Sequence, residues 1–121
     1  MAKNIVFDEA AQLSLVATDP AAPVSGDPLL VGQIPGVALT DERSDGTTSV
    51  KMDGVADLSV KGELWNGTAK AAVAVEAGDI IYYNVADTPK LNKDNRGVRY
   101  GYALEAIASG ATDTIRVKVG Y

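Results

Sequence analysis

The sequence predicts an all-β protein, a small antiparallel β-barrel or sandwich with an internal pseudo-repeat and an extended N-terminal arm. Three observations lead there. Apolar and polar residues alternate with a period of two in several short runs, which puts one face of each run in a core and the other in water. Turn pairs separate the runs: Asp45-Gly46, Asp53-Gly54, Asn66-Gly67, Gly78-Asp79 and Ser109-Gly110. Glycine supplies positive φ at such points, and aspartate or asparagine tolerates it. Finally, one pattern occurs twice. Gly26-Asp27, an apolar run, Gly36-Val37-Ala38-Leu39, a turn and Ser49-Val50-Lys51-Met52 match Gly78-Asp79, an apolar run, Gly101-Tyr102-Ala103-Leu104, a turn and Ile115-Arg116-Val117-Lys118-Val119. Two copies of a supersecondary unit make pseudo-symmetry within one domain.

Taken in order, residues 1–10 form the arm, apolar at Ile5, Val6 and Phe7, and residues 11–121 form a single β-domain. Leu13 and Leu15 alternate with Gln12 and Ser14 in a first strand. Thr18 to Val24 reads as an extended loop, because Pro20 and Pro23 fix φ and donate no hydrogen bond. The first copy covers residues 25–53. Leu58 and Val60 alternate with Asp57, Ser59 and Lys61 in the strand that follows. Ala69–Ala77 has a helical alanine content but alternates, and is expected to be a strand. The second copy covers residues 77–119, and Ala103–Ala108 within it is expected to be a strand by analogy with Val37–Thr40. Asn84–Arg99 is a polar insertion that makes the second copy about a dozen residues longer than the first. Long loops on a rigid β-scaffold often carry partner contacts.

Composition narrows the function. At 121 residues the chain is about one domain, large enough to hold a core without staples. It has no cysteine and no histidine, so disulfides, thiolate or imidazole metal sites and the usual hydrolase triads are excluded. Sixteen acids against eleven bases give a net charge of −5, and the bases are scattered, which argues against nucleic acid. No run approaches the roughly 20 apolar residues that cross a bilayer, and Met1-Ala2-Lys3-Asn4 opens no signal-peptide core. The expectation is a soluble protein, bound to no membrane, that stays in the compartment where it is made.

Motifs for chemistry are lacking. There is no phosphate-cradling loop, dinucleotide fingerprint or calcium loop. Ser49 with Lys51 and Ser59 with Lys61 lie on polar strand faces, where no lysine is desolvated into a base. Asp41 and Glu42 sit beside Arg43 and Ser44 in a wet turn, unlike the apolar pocket a catalytic carboxyl needs. Neither an enzyme nor a cofactor is expected. Binding residues are easier to nominate. Trp65 is the lone tryptophan, suited to an interface anchor, a core plug or, with an outward tyrosine, a platform for a carbohydrate. Tyr82 and Tyr83 are adjacent, so one should point in and one out. The arm residues Asn4, Ile5, Val6 and Phe7 suit addition of a strand to a neighbour's sheet edge. Lys93 and Arg96 in the insertion suit pairing between protomers.

Met1-Ala2-Lys3-Asn4, the Ser25-Gly26-Asp27-Pro28 turn, Gly36-Val37-Ala38-Leu39-Thr40 and Val50-Lys51-Met52-Asp53-Gly54-Val55 form a recognisable series. With Ala77-Gly78-Asp79, Gly101-Tyr102-Ala103-Leu104-Glu105-Ala106 and Ile115–Val119, the chain resembles the tailed-phage capsid cement proteins, also called head decoration proteins. The resemblance runs almost end to end. It implies a small β-protein that binds the outside of the assembled head, often as a homotrimer, and braces adjacent subunits of the major capsid protein. It also implies residence on the outer capsid surface of the virion, after a period in the host cytoplasm. The competing reading is a carbohydrate- or surface-binding β-module built on Trp65.

Overall fold

The computed structural model describes residues 12–120. The arm, with Asn4, Ile5, Val6 and Phe7, lies outside the described residues. Among the described residues there is no helix, and eleven strands account for the regular structure: β1 (Gln12–Leu15), β2 (Pro28–Val31), β3 (Ile34–Ala38), β4 (Thr48–Lys51), β5 (Gly54–Lys61), β6 (Glu63–Trp65), β7 (Lys70–Ala72), β8 (Ile80–Tyr83), β9 (Leu91–Asn92), β10 (Val98–Ala103) and β11 (Thr112–Val119). The all-β expectation holds. Between barrel and sandwich, the fold takes elements of both: a closed barrel, β10-β11-β5-β9-β8, beside an open sheet, β1-β4-β3-β2, and a small hairpin, β6-β7.

The two Gly-Asp segments fold alike, bond for bond. Gly26 N–H donates to the Ala38 carbonyl and Ala38 N–H to the Asp27 carbonyl, while Gly78 pairs with Ala103, and Ala103 with Asp79, in the same way. The Asp27 and Asp79 carboxylates each accept the backbone N–H of the residue three earlier, Val24 (3.0 Å) and Glu76 (2.8 Å). Leu39 N–H then reaches Ser49, and Leu104 N–H reaches Arg116. The glycine heading each Gly-x-Ala-Leu is required by space. A Cβ on Gly36 would lie 2.4 Å from Val50 Cγ1, and one on Gly101 would lie 2.0 Å from the Lys118 carbonyl oxygen.

The halves differ in how they close. After β1, Thr18 and Asp19 cross to the far edge of the first sheet and pair with Leu30 of β2, so the stretch read as loop supplies sheet hydrogen bonds. The second half closes through the insertion. β9 pairs parallel with β5 at Val60↔Leu91 and antiparallel with β8 at Tyr83↔Leu91. What reads as a polar excursion is therefore a barrel stave with fully buried Leu91 and Asn92. The expected strand over Ala69–Ala77 is cut down to β7, and Ala103–Ala108 is not a strand, since only Ala103, the last residue of β10, lies in one. β7 ends at Ala72 and β10 at Ala103, beyond which Val75 and Ile107 meet in a single bridge. Both of those side chains are buried, so the core holds the segments together where the ladder has stopped.

Alternation predicts burial well. Ile115, Val117 and Val119 are buried between exposed neighbours, and Leu58 and Val60 between exposed or half-buried ones. Each fully buried side chain of this size is worth about 1.5–3 kcal/mol. The main core also takes Leu30 and Val37 from the open sheet, while Leu29, Ala38 and Val50 form a second, smaller one. Tyr100 locks the two sheets together: it is buried, and its hydroxyl donates to the Gly36 carbonyl at 2.6 Å. It is the extra residue of a β-bulge in β10, where the register with β8 shifts between Arg99 and Gly101. Tyr83 points in and stacks on Tyr100 with centroids 6.0 Å apart, while Tyr82 is half-buried on the other face.

Candidate partner-binding surface

The insertion and the β6-β7 hairpin meet in a charged cluster. The hairpin turns where the sequence predicts. Asn66 Oδ1 accepts the N–H groups of Thr68 and Ala69, both at 2.9 Å, and Gly67 takes a φ of 98°. This carries Trp65 and Lys70, opposite each other on β6 and β7, toward the insertion. Asn92 anchors that side from within. Its Nδ2 donates to Asp87 Oδ2 (2.8 Å) and Glu63 Oε1 (3.3 Å), and its Oδ1 accepts from Asn84 Nδ2 (2.8 Å) and from Asp94 N–H (2.9 Å). A buried amide must find such partners or lose its hydration without return.

Cations balance the acids around it. Lys70 Nζ donates to Asp87 and to Glu63 Oε1 (3.4 Å), and lies 3.5 Å from Asp94 Oδ2. Burial alone would lower the Lys70 ammonium, but bonds to Asp87 and Glu63 outweigh it and hold it above the ordinary lysine value. Arg96 holds Asp94 by a fork: Nε to Oδ1 at 3.1 Å and Nη2 to Oδ2 at 2.7 Å. That hydrogen bonding pushes the buried Asp94 carboxyl down to about 2. The other side of the guanidinium covers Trp65, with Cζ 3.6 Å from the ring centroid. Beside the cluster opens a depression of about 410 Å³, lined by Tyr83, Asn84, Val85, Asp87, Arg96 and Val98 among others.

The structure thus brings Trp65 and Arg96 together and gives each an internal task. Trp65 is half-buried with one face occupied, so a ligand stacking on that face would have to displace Arg96. Lys93 is near but separate: its Nζ donates to Asp79 Oδ2 at 2.9 Å and to the Ala74 carbonyl at 3.4 Å. It thereby ties the insertion to the second Gly-Asp turn. The Asp79 carboxyl is held below the usual range, first by the Glu76 N–H and then by Lys93. Lys90 makes the matching tie to the first half. Its Nζ lies 2.6 Å from Asp19 Oδ2, which also accepts from the Tyr83 hydroxyl. Burial would raise the Asp19 carboxyl, but Lys90 and Tyr83 outweigh it and hold it low. The same burial, with the Asp19 charge, pushes the Tyr83 phenol well up.

Sequence reading missed Glu63, Lys70, Asp87, Asn92 and Asp94 as a set. They come from β6, β7 and the insertion, and no spacing links them along the chain. The one available signal was the density of charge between Asp87 and Arg99, which reads equally well as a solvated loop.

No curated protein and no solved structure matches the chain. The architecture and the order of the glycine-based motifs have a counterpart at family level: the model for phage cement proteins matches residues 8–119, nearly the full length, and the chain belongs to that family.

Proposed function

We propose that this protein binds the outer surface of the assembled head, as a homotrimer, and stabilises the lattice of the major capsid protein. Membership of the phage cement protein family carries a structural role in the phage capsid and a place in the virion. The observation that carries the finer reading is the extent of that match, which takes in both halves of the fold and the insertion that closes the barrel. The clasps from Lys90 and Lys93 support it, since they tie that insertion to the first half and to the Gly-Asp turn of the second.

Stabilisation follows from differential binding. A protein that binds the expanded lattice better than its precursor favours that lattice by mass action. Trimers multiply weak contacts, because the second and third protomers dock at high effective concentration. About 800 Å² per partner is enough for specific docking. Asn4, Ile5, Val6 and Phe7 are proposed to add a strand to a neighbouring capsid subunit, after synthesis and folding in the host cytoplasm.

Co-sedimentation with purified empty heads tests this reading, together with light scattering of the free protein. Pelleting with expanded heads alone, and a free or bound mass of three chains, is the expected result. Absence of pelleting with any head refutes it. Deleting residues 2–7 should leave a folded domain that no longer holds the head, and normal decoration by that variant removes the arm from the mechanism.

A further inference from the structure

We propose that the outer wall of the barrel, across β8, β10, β11 and β5, is the face that docks on the capsid, and that it takes a partner surface of acidic and apolar side chains. This rests on the function proposed above and names the surface that carries it. Strand register creates the wall. Ile80 stands opposite Tyr102, Tyr102 opposite Lys118, and Lys118 opposite Val55, so one row crosses four strands. Each of these points outward, since the next residue on the inner face (Ile81, Ala103, Val117 or Val119) is buried, and Ala56 beside Val55 packs against the core. The bulge at Tyr100 keeps Arg99, and Tyr82 opposite it, on the same outer face.

The six residues carry two cations, two tyrosines, two aliphatic side chains and no carboxylate, in a protein with a net charge of −5. Arg99 and Lys118 both flank Tyr102, at 5.3 and 5.9 Å from its ring centroid, and an Arg99 guanidinium N–H donates to the Tyr102 hydroxyl. Both signs return at the margins, where Arg116 stands opposite Asp57 in the next row and where Lys51 and Asp53 pair in the groove beside Val55. Val55 is 58% exposed and, with the exposed Leu39, lines a small groove that continues the wall toward the open sheet. Interface centres favour tyrosine and arginine over lysine, glutamate and aspartate. Of the other large exposed apolar residues, Val16, Val24 and Ile34 lie in the other sheet or its turns, while Val85 and Leu104 lie in segments that follow β8 and β10.

The full chain should be titrated onto expanded empty heads by co-sedimentation as wild type, Lys118→Glu, Val55→Asp and Val16→Asp. All three positions are exposed, and thermal unfolding checks that each variant keeps its fold. The two wall variants should need about 10-fold more free protein for half-occupancy, as for residues central to an interface. The Lys118→Glu deficit should shrink in raised salt, and Val16→Asp should bind as wild type. Wall variants that bind normally overturn the inference and leave the parent reading intact. Loss of self-association with head binding retained also overturns it, because the wall would then join copies of this chain. Wild type that fails to pellet overturns the parent reading, and this one with it.

Discussion

Replacing Gly101 by alanine probes why both halves of this protein place glycine before x-Ala-Leu. The new Cβ would lie 2.0 Å from the Lys118 carbonyl oxygen, 3.0 Å from its carbonyl carbon and 3.3 Å from Val119 Cα. Carbon–oxygen contacts between adjacent strands are about 3.3–3.6 Å, so β10 and β11 must part by more than an ångström. No rotamer relieves this, because every atom met is backbone. Overpacking costs about 1–3 kcal/mol, and a ladder hydrogen bond stretched beyond use adds about 1 kcal/mol. The expected loss is therefore about 2–4 kcal/mol, read from urea midpoints at unchanged slope. Gly36 supplies the contrast. There the alanine Cβ meets the side chain of Val50 at 2.4 Å, so trimming that side chain opens room. Gly36→Ala combined with Val50→Ala should destabilise less than the two single changes added together. A Gly101→Ala loss below about 1 kcal/mol, or strict additivity at Gly36 and Val50, would refute this account of the motif.

Acid should weaken the fold in a defined window. The Asp94 carboxyl titrates at about 2 in the folded chain against 3.8 unfolded, so its contribution is complete above pH 4 and disappears as pH falls from 4 toward 2. With the half-exposed Arg96 screened by solvent, that contribution is about 1–2 kcal/mol. Asp94→Asn should flatten stability against pH in that window, and an unchanged profile would count against the pair. Tyr100→Phe removes the donor to the buried Gly36 carbonyl and should cost about 1–3 kcal/mol by thermal unfolding. Leu91→Ala should cost about 2–5 kcal/mol, because β9 closes the barrel with this fully buried side chain. A surface-like loss below about 0.5 kcal/mol would show that the insertion is not part of the barrel.

The strand class, the turns and most of the core can be read from the chain alone. Those follow from local chemistry: period-two alternation puts Ile115, Val117 and Val119 on one face, and Asp-Gly or Asn-Gly pairs set the reversals. Both copies of Gly-x-Ala-Leu were likewise visible as a pattern, and so was the likeness to the cement proteins. Tertiary structure decided the rest, because it depends on pairing between residues far apart. Only register shows that Leu91 sits between Val60 and Tyr83, turning a polar insertion into a barrel stave. Only folding brings Glu63, Lys70, Asp87 and Asp94 around Asn92, or lines up Val55, Lys118, Tyr102 and Ile80 from four strands. Arg96 and Lys93 illustrate the division most plainly. Their charge was legible in the chain, and Asp94 is only two residues from Arg96, but the Trp65 ring under Arg96 and the Asp79 carboxylate beside Lys93 were set by how the strands closed the barrel around them.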